Sequence, residues 1–344
     1  MKQYKQASDI KVGVVGYGGA FNMGRSHLRE MQLAGMVPRA VVEIDPQRLQ
    51  VAEQDFPGIE KYASIEAMLE GSQVDLATII TPHNSHAPLA LACLKAGRHV
   101  VCEKPMAITT QECDDMIAAA RKSDVMLSAY HNRHWDGGIM RAVEEIRKNH
   151  LIGEIYRIDA HMGGYGQPGD WWRSSRTISG GILYDWGVHL LEYSFQLIDS
   201  ELAEVSGYAK SGFWAHKTAW KHDAIEDESA AILRFKNGAW LNLSMTHLDS
   251  NPRPTWIEVF GTEGAYSWTG DDYTVIKHTG GVVRTEKGKN PKAEGQRYYE
   301  NIAAHLTRGE TLVISAEWSR RPIHAIDLAV QSAKQGKALP AKYA

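Results

Sequence analysis

At 344 residues the chain is longer than one compact core usually sustains, and two domains are expected. A composition 43% hydrophobic and 23% charged is that of an ordinary globular protein, and a formal net charge of −3 points to no nucleic-acid partner and no acidic tail. The opening MKQYKQASDIK lacks an apolar signal core and no run of about eighteen apolar residues follows, so no membrane partner is expected. Cys93, Cys102 and Cys113 show no CxxC spacing, which speaks against zinc and against a disulfide framework and fits a reducing cytoplasm.

In chain order, IKVGVVG (10–16) is a short β-branched run ending in glycine, the pattern of a buried parallel strand. GYGGAFNMGRSHLREM then passes from glycines into a helical pattern. RAVVEID (39–45) is a second strand and QRLQVAEQD starts a second helix. VDLATII (74–80), HVVCEK (99–104) and VMLSAY (125–130) read as further strands. The helices between them are APLALACLKAG, stopped by Gly97, and TQECDDMIAAARKS. Alternation of this kind predicts an α/β Rossmann domain, a doubly wound parallel sheet, over 1–133.

The first strand–turn–helix is the phosphate-binding candidate. Gly16, Gly18 and Gly19 allow close backbone approach, and the helix start offers free N–H groups and a positive dipole end. The third glycine of the usual spacing would fall at 21, where Phe21 stands, and Gly24 follows three residues later; the loop through Ala20, Phe21 and Asn22 is therefore extended. Glu43, with Asp45 as the neighbouring candidate, ends the second strand where a carboxylate accepts hydrogen bonds from an adenosine ribose. Asp45 precedes Pro46 and a turn start is its alternative. A carboxylate repels a 2′-phosphate and Ile44 supplies no positive charge, so NAD is expected rather than NADP.

From residue 134 the alternation stops, and 134–344 is expected to form an α+β substrate and oligomerisation domain with a large, mostly antiparallel open sheet. EIYRIDAHM (154–162) alternates, with Arg157, Asp159 and His161 on one face. ESAAILRFKNGAWLNLSM (228–245) reads as a hairpin turning at Asn237-Gly238, the pair favoured in type I′ turns. Strands also fit 202–209, 255–261 and 273–278, and closing helices fit 295–308 and 316–336, packing back near the domain boundary. In GGILYDWGVHLLEY (180–193), Asp185 and His189 stand four apart, which allows an ion pair, a metal-ligand pair or an acid/base couple. No third ligand stands at recognisable spacing, so no metal is expected. The strip HMGGYGQPGDWWRSSR (161–176) suits a loop over a polar ring: Tyr165 and Arg173 are substrate candidates, and Trp172 a cover for nicotinamide or sugar. Asn132 and Arg133 fall at the domain junction. His131, His161 and His247 are candidates for the cleft border, with structural roles as the alternative, and Tyr298 or Tyr299 is a suggested cofactor contact.

TPHNSH (81–86), GRHVVCEKP (97–105) and GGILYDWGVH (180–189), in that order, resemble the Gfo/Idh/MocA family of oxidoreductases, and the likeness continues through FGTEGAYSW (260–268) to the closing helix. The resemblance implies that Thr81, Pro82, His83, Asn84 and His86 line the cofactor's path and that Glu103 and Lys104 sit beside the nicotinamide. It further implies that Asp185 and His189 face Lys104, with His189 accepting the hydroxyl proton while Asp185 and Lys104 position the substrate. Glu192, where the family often has Asp, is expected at the rim. A homodimer or homotetramer through the second domain's sheet is implied too. The chemistry of the residues agrees. Hydride removal from a carbinol carbon needs a base near neutrality, which histidine supplies, and an ammonium favours negative charge growing on the oxygen. The expected activity is NAD-dependent oxidation of a secondary hydroxyl on a sugar, cyclitol or sugar derivative. A glycosidase or lyase working by transient oxidation, and a non-catalytic nucleotide-binding sugar sensor, are the alternatives.

Overall fold

The computed structural model describes residues 1–343. They form two compact units: Met1–His131 with Gln296–Arg320, and Asn132–Gly295 with the residues from Arg321 on.

In the first unit, six parallel strands, β1 (Lys11–Val15), β2 (Val37–Val42), β3 (Glu60–Tyr62), β4 (Leu76–Ile79), β5 (His99–Cys102) and β6 (Leu127–Ala129), lie in the order β3-β2-β1-β4-β5-β6. Val12, Val14, Leu76, Ile79, Val100 and Val101 are fully buried, as the continuous apolar runs of a sheet covered on both faces require. Helices Met23–Leu33, Pro46–Asp55, Ile65–Gly71, His86–Lys95 and Thr110–Lys122 connect the strands. Local chemistry sets their ends. Thr109 and Glu112 form a reciprocal capping box at the last of them. The helix His86–Lys95 closes where Gly97 N–H bonds Leu94 O and Arg98 N–H bonds Cys93 O, with Gly97 at φ +72°. The returning helix Arg297–Arg308 completes the unit, with Tyr298 and Tyr299 fully buried in it.

The second unit is built on nine strands: β7 (Ile155–Gly163), β8 (Leu202–Lys210), β9 (Glu228–Phe235), β10 (Trp240–Thr246), β11 (Ile257–Gly261), β12 (Gly264–Trp268), β13 (Asp272–Thr279), β14 (Val282–Lys289) and β15 (Leu339–Pro340). Their order is β14-β13-β12-β11-β7-β10-β9-β8-β15. Among the described residues β7 and β10 run parallel and every other neighbouring pair is antiparallel. Helix Trp186–Leu197 packs over β7 and β10 against the face that carries Ile158, Ala160, Leu241 and Leu243. The opposite face carries Arg157, Asp159 and His161, paired with Trp240, Asn242 and Ser244, and leaves Ile232 and Ile276 exposed.

The β9–β10 hairpin turns at the expected place but not in the expected way. Gly238 N–H bonds Phe235 O, Phe235 N–H bonds Ala239 O, and Gly238 has φ +89° while Asn237 does not enter the left-handed region. A type I′ turn needs positive φ at two residues; this is the longer turn that places one glycine in a bulge.

His99 at the start of β5 is buried and accepts the Met126 N–H on Nδ1 at 3.0 Å. Burial, chiefly, pushes its pKa down to about 4. The ring is neutral in both states above its ordinary value, about 6.5, and between there and pH 4 the unfolded chain alone takes up the proton. Stability is expected to fall by on the order of 3 kcal/mol across that window from this group. In His99→Gln, urea unfolding midpoints measured from pH 7 to pH 4 are expected to lose that share of the slope; equal slopes in the two proteins would remove His99 as its source.

Candidate functional site

In the first unit, the residues that follow β1, β2, β4 and β5 lie together at the carboxyl ends of the strands. The strand order reverses between β1 and β4, the place where open α/β sheets bind ligands. Gly16 has φ +104°, and a Cβ there would meet Ile80 O at 2.2 Å. Gly24 does the work of the missing third glycine: a Cβ on it would meet the Tyr17 ring at 2.6 Å and Gly16 O at 2.7 Å. The helix begins at Met23, so the extension through Ala20, Phe21 and Asn22 is looped out and exposed while the helix–strand contact is kept. A Cβ on Gly18 would meet nothing within 4 Å, and Asn22, at the helix start, makes no side-chain cap. A glycine loop open on its outer side, leading to an uncapped helix start, fits a pyrophosphate.

Glu43 follows β2. One carboxylate oxygen accepts Tyr17 N–H (2.6 Å); the other accepts Ile44 N–H (2.8 Å) and Asp45 N–H (3.1 Å). A carboxylate has about four acceptor positions, so a hydroxyl donor such as a ribose can still bond to it. Asp45 takes the turn-start alternative: its Oδ1 accepts Gln47 N–H and caps helix Pro46–Asp55. The sequence reading missed Arg48. Its guanidinium donates to Tyr17 O (2.9 Å) and to Asn22 Oδ1 (3.1 Å) and reaches within 3.3 Å of where a Cβ on Gly19 would stand. The available signal was a basic residue one turn into the second helix, beyond the Ile44 position where a positive charge was sought.

After β4, Ser85 Oγ bonds Thr81 Oγ1, while Pro82 and Asn84 are exposed and His83 is buried. His86 differs from its expected role. Its imidazole is buried with Nδ1 2.8 Å from Pro105 O and Nε2 2.8 Å from Thr81 O; burial lowers its pKa, and the neutral ring donates to one of these carbonyls, so both nitrogens face backbone rather than a ligand. After β5, Glu103 is held by His27, with Nε2 3.0 Å from Oε1, and its other oxygen accepts the Lys104 backbone N–H (2.9 Å). Burial raises the Glu103 pKa, yet the His27 hydrogen bond and the neighbouring Lys104 charge outweigh it and hold the carboxyl below its ordinary range. His27 was not singled out in the sequence. Tyr298 and Tyr299 are corrected too: their hydroxyls bond Ser128 Oγ and His27 Nδ1 inside the unit, which leaves them no cofactor contact. His131, following β6, is buried.

In the second unit, Asp185 stands just ahead of helix Trp186–Leu197 at φ −86°, ψ −85°. The acid therefore belongs to the turn, and His189 alone belongs to the helix. His189 is 4% exposed and meets the Trp186 ring edge-on at 5.4 Å. The Arg133 guanidinium lies 4.7 Å from the Trp186 ring, in the turn Asn132–Trp135 that also contains Asn132. Arg173 Nε is 3.8 Å from Asp185 Oδ1, and the guanidinium lies 4.8 Å from both the Trp171 and Trp172 rings. Asp185, Trp172 and Arg173 are thus neighbours. Tyr165 is exposed, edge-on to Trp214 at 5.5 Å.

Two expectations fail here. His161 lies on the sheet face opposite helix Trp186–Leu197, bonded to Ser244 Oγ (2.7 Å) and paired with Asp249 (3.1 Å); side chains alternate along a strand, so it cannot share a site with His189. Glu192 is not at a rim. It is 1% exposed and bonded to His134 Nδ1 (2.5 Å) and Gln196 Nε2 (3.1 Å). Among the described residues no three His, Cys, Asp or Glu side chains are grouped to hold a metal ion.

Residues 10–131 match the sequence model of an oxidoreductase family with an NAD-binding Rossmann fold, and residues 140–267 match the GFO/IDH/MocA C-terminal domain. The chain is 23% identical to the scyllo-inositol 2-dehydrogenase (NADP(+)) IolW of Bacillus subtilis, over 98% of each chain. It is 28% identical to the myo-inositol 2-dehydrogenase of Thermotoga maritima, over 74% of each. Among solved structures, an NAD-binding protein from Listeria innocua superposes with a TM-score of 0.78 at 26% identity, over 96% of this chain and 97% of that one.

Proposed function

Because the chain belongs to the GFO/IDH/MocA family of oxidoreductases, we propose that it oxidises a secondary hydroxyl of a sugar, cyclitol or sugar derivative, with NAD as the preferred hydride acceptor. Relatives named as inositol dehydrogenases support the substrate class. The observation that carries the reading is Lys104: it sits at the carboxyl end of β5 with its backbone N–H tied to the Glu103 carboxylate, in a sheet whose switch point holds the glycine loop.

The reaction needs three things from the protein: a proton acceptor, a positive charge for the reacting oxygen, and a fixed substrate. His189 is proposed as acceptor, since an imidazole ordinarily titrates near neutrality and general-base help is worth about 10² to 10⁴ in rate. The Lys104 ammonium favours the alkoxide character that grows on the oxygen as its proton leaves. Asp185 holds a substrate hydroxyl and is itself oriented by Arg173. NAD supplies the hydride-accepting ring. Its pyrophosphate would lie on the loop from Gly16 to the helix start at Met23, and its ribose would donate to Glu43.

The choice between NAD and NADP rests on Glu43. Three N–H donors hold its carboxyl group in place, and a carboxylate repels a 2′-phosphate. Arg48 stands beside the same loop as a latent phosphate partner, and the Bacillus relative is named for NADP(+).

His189→Ala is expected to lower kcat by about 10² to 10⁴ in the formation of reduced nicotinamide followed by near-ultraviolet absorbance, with NADH affinity changed no more than a few-fold. Retained turnover would take the histidine out of the role, and product formed without accumulating NADH would mark transient oxidation instead. Glu43→Ala should cut the NAD-over-NADP ratio of kcat/KM by roughly tenfold or more, the worth of one charge-assisted hydrogen bond and the relief of one repulsion; an unchanged ratio would show that Glu43 does not discriminate. A homodimer or homotetramer through the exposed sheet face bearing Ile232 and Ile276 is part of the same proposal, and a single-chain mass by light scattering would refute it.

A further inference from the structure

We propose that His27 is a positioning residue for Lys104, acting through the Glu103 carboxylate. The inference rests on the role given above to Lys104. His27 lies in the helix that follows the glycine loop and is fully buried, its ring 4.2 Å from that of Tyr130. An ionised carboxylate only accepts, so at 3.0 Å from Glu103 Oε1 the Nε2 atom of His27 must carry the hydrogen. With the ring neutral, Nδ1 accepts from the Tyr299 hydroxyl, 2.7 Å away. One tautomer satisfies both contacts. The second Glu103 oxygen takes the Lys104 backbone N–H at 2.9 Å. Tyr299, His27, Glu103 and the Lys104 peptide form one hydrogen-bonded chain drawn from three separate segments of the unit.

The far side of Lys104 is held in the same manner. Buried His86 stands with Nδ1 2.8 Å from Pro105 O and Nε2 2.8 Å from Thr81 O, and its single N–H in the neutral ring donates to one of the two. The residues before and after the lysine each contact a buried imidazole, which restrains the backbone that carries the ammonium. A buried imidazole–carboxylate pair is a weak stability device, since apolar residues of similar volume often serve as well. It is a strong orientation device, because misplacing a reacting group by about 1 Å can cost some 10² in rate.

The test compares His27→Leu, which removes the donor, with His27→Gln, whose amide can still donate to Glu103, and with Tyr299→Phe, which leaves the His27 tautomer unselected. The first readout needs no substrate: the rate and pH midpoint of trinitrobenzenesulfonate labelling of Lys104 in the ligand-free protein, followed by peptide mass spectrometry. The second is kcat and KM for the alcohol the wild type oxidises. NADH affinity by fluorescence and the urea midpoint are measured alongside. Expected in His27→Leu are a threefold or larger change in labelling rate and a tenfold or larger fall in kcat, with KM and NADH affinity within threefold. His27→Gln should recover to within about threefold of wild type on both readouts, and Tyr299→Phe should fall between. A folded His27→Leu with unchanged labelling and kcat overturns the proposal, and so do equal losses in the Gln and Leu variants. If His27→Leu does not fold, wild-type labelling and kcat in Tyr299→Phe overturn it. Failure of the functional reading shows separately, as unimpaired turnover in Lys104→Ala, whatever the labelling result.

Discussion

Where parallel strands end, the ladder of backbone hydrogen bonds ends with them, and the N–H and C=O groups just beyond still require partners if they are buried. Leaving one unmet costs about 1–3 kcal/mol, comparable to a sizeable part of a domain's net stability. In the first unit side chains meet this need: Glu43 takes three N–H groups after β1 and β2, Glu103 takes one after β5, and His86 stands between the carbonyls of Thr81 and Pro105, after β4 and β5, and donates to one of them. The candidate cofactor site is built from these satisfying groups and from the glycines that let the loops come close enough to be satisfied. Folding and the arrangement of the site are the same hydrogen-bonding problem.

That constraint also explains why the site tolerates an irregular glycine loop. What the fold requires is close approach of the first helix to the end of β1, and Gly24 provides it from the helix's first turn. Residues between Gly19 and Met23 are then free to project, which they do. Arg48 ties the projecting loop back by bonding Tyr17 O and Asn22 Oδ1. The second unit works by another rule. Its sheet buries one face under helix Trp186–Leu197, in which ten of the twelve residues are buried, His189 and Glu192 among them. The alternation of side chains then sorts the polar residues of β7 to the other face.

The sequence by itself determined five of the six parallel strands of the first half, though not the short edge strand β3 or the helix Ile65–Gly71 after it, together with the stop at Gly97, the sheet-and-helix character of the second half, and the family through its short motifs. These are local properties: propensity, a two- or 3.6-residue period, turn chemistry and contiguous signature residues are all written within a dozen positions. Only the tertiary structure decided which distant side chains meet. His27 and Tyr299 are 272 residues apart and share a hydrogen bond, and nothing near either residue announces the other. Asp45 became a cap, His86 a brace, Glu192 a buried partner of His134, and His161 a resident of the far face, since each outcome depends on the path of the backbone around it. The type of residue was legible because chemistry is local; its assignment to site or scaffold was not, because burial and direction are properties of the folded whole.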